Sequence, residues 1–383
     1  MGRTHVLGRE PVTGHSIMVT VDDGFIVLIE PTNAAADLWI ASGLVDLQVN
    51  GYFGLDLNGS DANAATVSRL ARALLATGVT CFAPTVITSS EDEIVRRVEN
   101  IAEACANDSV AAACIPFIHV EGPNISPRDG FRGAHPVEFV RAPSLLEFER
   151  WQAACGTSIG LVTLSPHFPG SEDYISALVQ RGVHVSLGHT DASHEQIEAA
   201  VEAGARLSTH LGNGVAQQLD RHPNPIWSQL AEDRMTACFI ADGHHLPAET
   251  LRAMVRAKDV DRCILVSDCV ALAGMPPGHY DTAIGGRVEL SVNGRLSMEG
   301  SSVLAGATVP LITCVGRAVP MTGLSLATVL ALATQNPGRF AGDRGRLLPG
   351  ERADMFLFHW DEQESVATIN KVWLAGELMY QSF

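Results

Sequence analysis

Eight runs of apolar, strand-forming residues recur along the middle of the chain, and helix-like segments separate most of them. The runs are GLVDLQV from Gly43, VTCFAPTV from Val79, CIPFIHVE from Cys114, IGLVTLS from Ile159, VHVSLGH from Val183, ARLSTH from Ala205, TACFIAD from Thr236 and CILVSD from Cys263. Runs this continuous suit strands buried on both faces, as in a parallel sheet covered by helices. The clearest helical segment spans 61–76, where Ala64, Val67, Leu70, Ala71 and Leu74 keep helical spacing. Ser60 or Asp61 is its expected cap, and Gly78 follows its end. Eight alternations predict a closed (β/α)8 TIM-like barrel. An open doubly wound sheet is the competing arrangement, but no GxGxxG or GxxxxGKS/T loop follows any run.

The two ends of the chain read differently. SIMVTV from Ser16 and FIVLIE from Phe25 are short strands, as are ADMFLF from Ala353 and VATINKVWLAGELMY from Val366, with a hairpin turn at Ala375-Gly376-Glu377. We expect residues 1–42 and 344–383 to form one small β-sandwich domain, with 43–343 as the barrel. A length of 383 residues fits that arrangement.

The formal net charge is −17, and of the 26 Lys and Arg only Lys258 and Lys371 are lysine. Without a basic block, nucleic acid and acidic membranes are poor partners. No apolar run is long enough to span a bilayer. The eight Cys are scattered with no CxxC pair, and no signal peptide is visible. They read as reduced thiols of a cytoplasmic protein.

Nearly every run ends in a polar residue: Gln48 and Asn50, Glu121, His189, His210, Asp242 and Asp268. In a barrel these ends ring one mouth, where such folds place their chemistry. Glu121, His189 and His210 offer one carboxylate and two imidazoles, a set suited to Zn²⁺ or Fe²⁺ with a position left for water. Taken singly, each is better read as a hydrogen-bonded structural residue or cap; together at one mouth they favour a metal. Asp268 would carry a proton from water to a leaving group, or else cap a turn. In ADGHH, either His244 or His245 is a candidate to polarise a carbonyl, and the residues alone do not choose. Arg132 and His135 follow Glu121 closely.

HVEGPNIS…RGAHP, VSLGHTDAS, THLGNGV, IADGHHLP, LVSD and NPGRFAGDRGRLLPGERADMFLF, in that order, resemble the N-acetylglucosamine-6-phosphate deacetylases of the amidohydrolase superfamily. The resemblance spans nearly the whole chain. It implies a (β/α)8 barrel with a β domain built from both termini, a homodimer, and hydrolysis of N-acetylglucosamine-6-phosphate to glucosamine-6-phosphate and acetate. It implies one divalent metal ion, Zn²⁺ ahead of Fe²⁺, on Glu121, His189 and His210. Asp268 would be the general base and acid, and His245 would polarise the acetyl carbonyl. His135 would touch the sugar. Asn213 and Gly214 would lie near the phosphate with Arg221, acting either in its own subunit or across the dimer. Arg132 would add positive field for the phosphorylated amino sugar.

Gln48 and Asn50 stand where many amidohydrolases carry an HxH pair for a second metal, and neutral amides are weak ligands. We place both among the substrate-side residues and expect one metal. The fourth run ends TLSP with no lysine near it, which argues against a carboxylated-lysine, two-metal site. Leu211-Gly212-Asn213-Gly214-Val215 departs from the family, which has a bulky residue before the Asn and Ala-Met after it. Those small residues either loosen the loop or signal a different sugar. The alternatives are an amidohydrolase acting on another N-acyl compound and a sugar-binding protein without activity.

Overall fold

The computed structural model describes residues 2–156, 159–282, 285–301 and 303–382. The eight runs form β1 (Leu44–Val49), β2 (Val79–Ile87), β3 (Ile118–Glu121), β4 (Ile159–Leu164), β5 (His184–Leu187), β6 (Leu207–Ser208), β7 (Thr236–Phe239) and β8 (Cys263–Leu265). Each pairs in parallel with the next in one eight-stranded sheet. The ladder itself runs from β1 to β8 without joining its two ends. A seam just past β8 closes it. The Asp268 amide donates to the Gln48 carbonyl at 3.0 Å and the Asn50 amide to that of Cys269 at 2.9 Å, and Val49 bridges Cys269. The result is a (β/α)8 barrel.

Apolar residues on both strand faces explain the burial. All nine residues of β2 are buried. One set, including Val45, Leu47, Cys81, Ala83, Leu161, Leu207 and Ile264, fills the barrel interior. The other faces pack on the helices in a larger cluster that includes Leu44, Phe82, Ile118, Val162 and Leu265. Two local expectations change. A helix at Ser109–Cys114 takes the start of the third run, so β3 begins only at Ile118. The helix expected over 61–76 spans Ala64–Leu75, and its cap is Asn63, whose Oδ1 accepts the Thr66 amide at 3.1 Å. Asn63 is the last extended residue before the helix, which leaves Ser60 and Asp61 too far upstream to cap it.

Both termini join in one seven-stranded sheet. Its order is Glu377–Gln381, Val366–Leu374, Met355–Asp361, Trp39–Ser42, Thr4–Arg9, Ser16–Asp22, Phe25–Pro31. The hairpin turn is Ala375-Gly376, with φ of 48° and 80°, as a two-residue turn of the I′ type requires. Asp354 ties this sheet to the barrel through Arg344, which bonds Asp354 at 2.7 Å and the Thr80 carbonyl at 3.0 Å. A feature absent from the sequence reading is a three-stranded antiparallel sheet, Gly278–Thr282, Gly286–Leu290 and Leu296–Met298. It packs Val288, Leu290 and Leu296 with Val270, Leu272 and Ala305, and so stands over the β8 side of the barrel mouth. Among the described residues no helix is long and apolar enough to cross a membrane.

Candidate functional site

The strand ends converge on a cavity of about 350 Å³. Glu121 is the last residue of β3, and the positive-φ Gly122 turns the chain away after it. His189, His210 and Asp268 lie two or three residues past β5, β6 and β8, with φ of 49°, 29° and 47°. Left-handed backbone at residues other than glycine costs energy and concentrates at functional sites. Here each such residue reverses the chain sharply enough to bring its side chain over the mouth.

Glu121, His189 and His210 are buried, and one ligand atom of each lies within 4.8 Å of the others. Glu121 Oε1 is 3.1 Å from His210 Nε2 and 3.4 Å from His189 Nε2. Burial by itself would raise the Glu121 acid, but the two imidazoles hold it well below the usual carboxylate range. The Phe131 carbonyl lies 3.0 Å from His189 Nδ1 and takes the proton of that nitrogen. In neutral His189 the Nε2 lone pair then faces the carboxylate, and two lone pairs at that distance call for a proton or a cation between them. The donor set therefore fits a divalent metal. It is the one such cluster of three among the described residues.

The amides that replace an HxH pair have separate tasks. Gln48 Nε2 donates to Glu121 Oε1 at 2.9 Å, and Asn50 Nδ2 to Asp268 Oδ1 at 2.8 Å. Asn50 and Asp268 line the cavity, while Gln48 sits behind Glu121. Burial, then the charge of Glu121, pushes the Asp268 acid up to about 8. Asp242 holds the two histidines of ADGHH differently. Its Oδ1 accepts both of their amides at 2.9 Å, and its Oδ2 lies 2.7 Å from His245 Nδ1. His245 lines the cavity, whereas His244 Nε2 turns to the Asn293 carbonyl at 3.0 Å. His135 also lines it, edge-on to His189 with ring centroids 4.4 Å apart. Burial, then the His189 charge, pushes His135 down to about 3.

Two basic residues are not brought in. Arg132 donates to the His135 carbonyl at 2.8 Å and to Asp129 at 2.5 Å, and Arg221 is exposed. Among the described residues no lysine or arginine lines the cavity. The walls are Ile87, Val215, Ile240, Val270 and the stretch 303–306, which the sequence reading did not single out.

The loop at Asn213 is anchored to the carbonyl end of His210. Asn213 donates to the His210 carbonyl from its backbone at 2.9 Å and its side chain at 3.2 Å. Gly214 has φ of 60°, and a Cβ there would stand 2.7 Å from His189 Nδ1. Gly214→Val, a branched side chain on left-handed backbone, should therefore push His189 out of place and lower metal affinity about tenfold or more, as for other changes that disturb a ligand's support. Metal titration checks this; unchanged affinity would show that the loop yields instead.

The amidohydrolase family matches residues 39–379. The chain is 32% identical over 356 residues to the N-acetylglucosamine-6-phosphate deacetylase of Homo sapiens, covering 90% of this chain and 84% of that one. It is 30% identical over 367 residues to the N-acetylgalactosamine-6-phosphate deacetylase of Escherichia coli O157:H7, covering 94% and 93%. A solved N-acetyl-D-glucosamine-6-phosphate deacetylase mutant from Mycobacterium smegmatis, in complex with N-acetyl-D-glucosamine-6-phosphate, superposes with a TM-score of 0.86. That likeness has 26% identity and covers 98% of this chain and 99% of the other.

Proposed function

Because the chain belongs to the amidohydrolase family, among its N-acetylglucosamine-6-phosphate deacetylases, we propose that it hydrolyses the acetamide of N-acetylglucosamine-6-phosphate to glucosamine-6-phosphate and acetate. The observation that carries the reading is the meeting of Glu121, His189 and His210 with Asp268 in one cavity.

Glu121, His189 and His210 would hold one divalent ion, Zn²⁺ ahead of Fe²⁺ on the chemistry of the donors. Such an ion, when bound, polarises a carbonyl and lowers the pKa of water. Asp268 takes the proton of the attacking water and returns it to the leaving amine. Its Oδ1 is held by Asn50, which leaves Oδ2 for that transfer. His245, locked through Nδ1 by Asp242, presents Nε2 to the acetyl oxygen as negative charge develops there. His135, Asn213 and Gly214 shape the sugar side. Gln48 acts through Glu121 and Asn50 through Asp268, rather than by holding substrate.

The phosphate needs positive charge that the cavity's own lining lacks. We assign that charge to Arg221, exposed on the same segment as Asn213 and lent to the partner's cavity in a homodimer. Arg132, already paired, adds only field. Eight free cysteines support a reducing, cytoplasmic setting. Residues 1–42 with 344–383 make the β domain, and 43–343 the barrel.

The test is amine release from N-acetylglucosamine-6-phosphate and N-acetylgalactosamine-6-phosphate, with their unphosphorylated forms, alongside metal analysis. No hydrolysis of any by metal-loaded protein sinks the reading; preference for the galactose epimer would change only the sugar. Arg221→Ala should raise KM for the phosphorylated sugar by about tenfold, the worth of one charge-assisted contact, and leave the unphosphorylated one nearly unchanged. Equal effects on both would remove Arg221 from phosphate recognition.

A further inference from the structure

Asp46 on β1 is a carboxylate 1% exposed that no step above uses. Its Oδ1 accepts two backbone amides, that of Gln48 at 3.3 Å and that of Ser267 at 3.1 Å. Its Oδ2 has no hydrogen-bond partner. An ionisable group so placed is costly, and burial pushes its acid up to about 6. An apolar side chain of similar volume would suit the interior of a strand better.

Its position explains the cost. The barrel's strands are held by ladders except at the seam between β1 and the segment after β8. There the links, from bottom to top, are Asp46 to Ser267, Gln48 to Asp268 and Asn50 to Cys269. Ser267 directly precedes Asp268, whose backbone is left-handed. From β1, Gln48 holds Glu121 at the end of β3, and Asn50 holds Asp268 across the seam. One carboxylate oxygen therefore ties the backbone that carries both amides to the backbone that carries the proton-transfer group.

We propose that Asp46 is a positioning residue. By bridging the Gln48 and Ser267 amides across the barrel seam, it fixes the register in which Asp268 faces the Glu121–His189–His210 cluster. The proposal rests on the role given to Asp268 under Proposed function.

The test compares Asp46→Asn and Asp46→Ala in the full, metal-loaded chain. Asparagine keeps an oxygen for both amides; alanine leaves both without an acceptor. Asp46→Asn should hold kcat within about threefold of the parent. Asp46→Ala should lower kcat by about tenfold or more, because small displacements of a reacting group are penalised steeply. KM and the metal content should stay near the parent's. Amide hydrogen exchange of 263–269 should quicken in the alanine variant and not in the asparagine one. If alanine prevents folding, Asp46→Ser, whose shorter hydroxyl cannot span both amides, replaces it. Parent-like kcat with parent-like exchange in the alanine or serine variant overturns the proposal, as does an asparagine variant as impaired as they are. Exchange needs no turnover, so it judges the clamp even if the parent hydrolyses none of the sugars, a result that would count against the proposed function instead.

Discussion

Asp268→Asn should bind its metal normally and lose about 10²-fold or more in turnover, the scale of a missing general acid–base group. The substitution is nearly isosteric. Its oxygen can still accept from Asn50 Nδ2, which now lies 2.8 Å from Asp268 Oδ1. What disappears is the second carboxylate oxygen, the atom proposed to receive and return the proton. Asp268 is placed for that exchange: it lines the cavity beside Glu121, with Oδ1 held by Asn50 and Oδ2 left open. Because the lost contribution belongs to the transition state, kcat and kcat/KM should fall together while KM holds. Amine-release kinetics with metal analysis of the same sample check this. Near-parent turnover would remove Asp268 from the chemistry, and loss of the metal would recast it as a ligand.

Glu121→Gln should have the larger effect on the metal. The residue is 3% exposed and receives Gln48 from one side and faces both imidazoles on the other. Glutamine keeps its size but gives up the anionic donor, and a neutral amide is a weak ligand. Metal content should collapse and activity with it, by about 10²-fold or more given what even supporting residues contribute. A second readout is independent of activity. Zn²⁺ at a hundred times its Kd should stabilise the parent by about 2.7 kcal/mol and the variant hardly at all, seen as a rise in Tm for the parent alone. Equal stabilisation of both proteins would place the ion elsewhere.

How far the chain announces this site depends on where each residue sits. The barrel strands were legible because burial on both faces leaves an unbroken apolar run, as in β2. The polar strand ends were legible because each interrupts such a run. The three-stranded sheet at 278–298 was hidden for the opposite reason. Gly278–Thr282 has no buried residue and Gly286–Leu290 only two, so neither forms an apolar run. Arg132 was drawn toward the substrate by its nearness in sequence to His135, but Asp129, three residues before it on the same turn, takes its guanidinium. Gln48 and Asn50 were recognised as a substitution for metal ligands, yet their hydrogen bonds join residues 73 and 218 positions away, which no local pattern displays. Asp46 is unmarked in the sequence because a single acid within LVDLQV reads as an imperfection of the strand.

The left-handed turns at His189, His210 and Asp268 separate two kinds of change that such a catalyst can undergo. The candidate metal ligands and Asp268 ride on sharp corners anchored directly to the barrel, while the surfaces that would grip a sugar belong to the loop at 212–217 and the edge at 303–306. Selectivity can thus be rewritten in those outer segments without dismantling the hydrolytic apparatus, provided position 214 remains small enough to leave the imidazole of His189 its room.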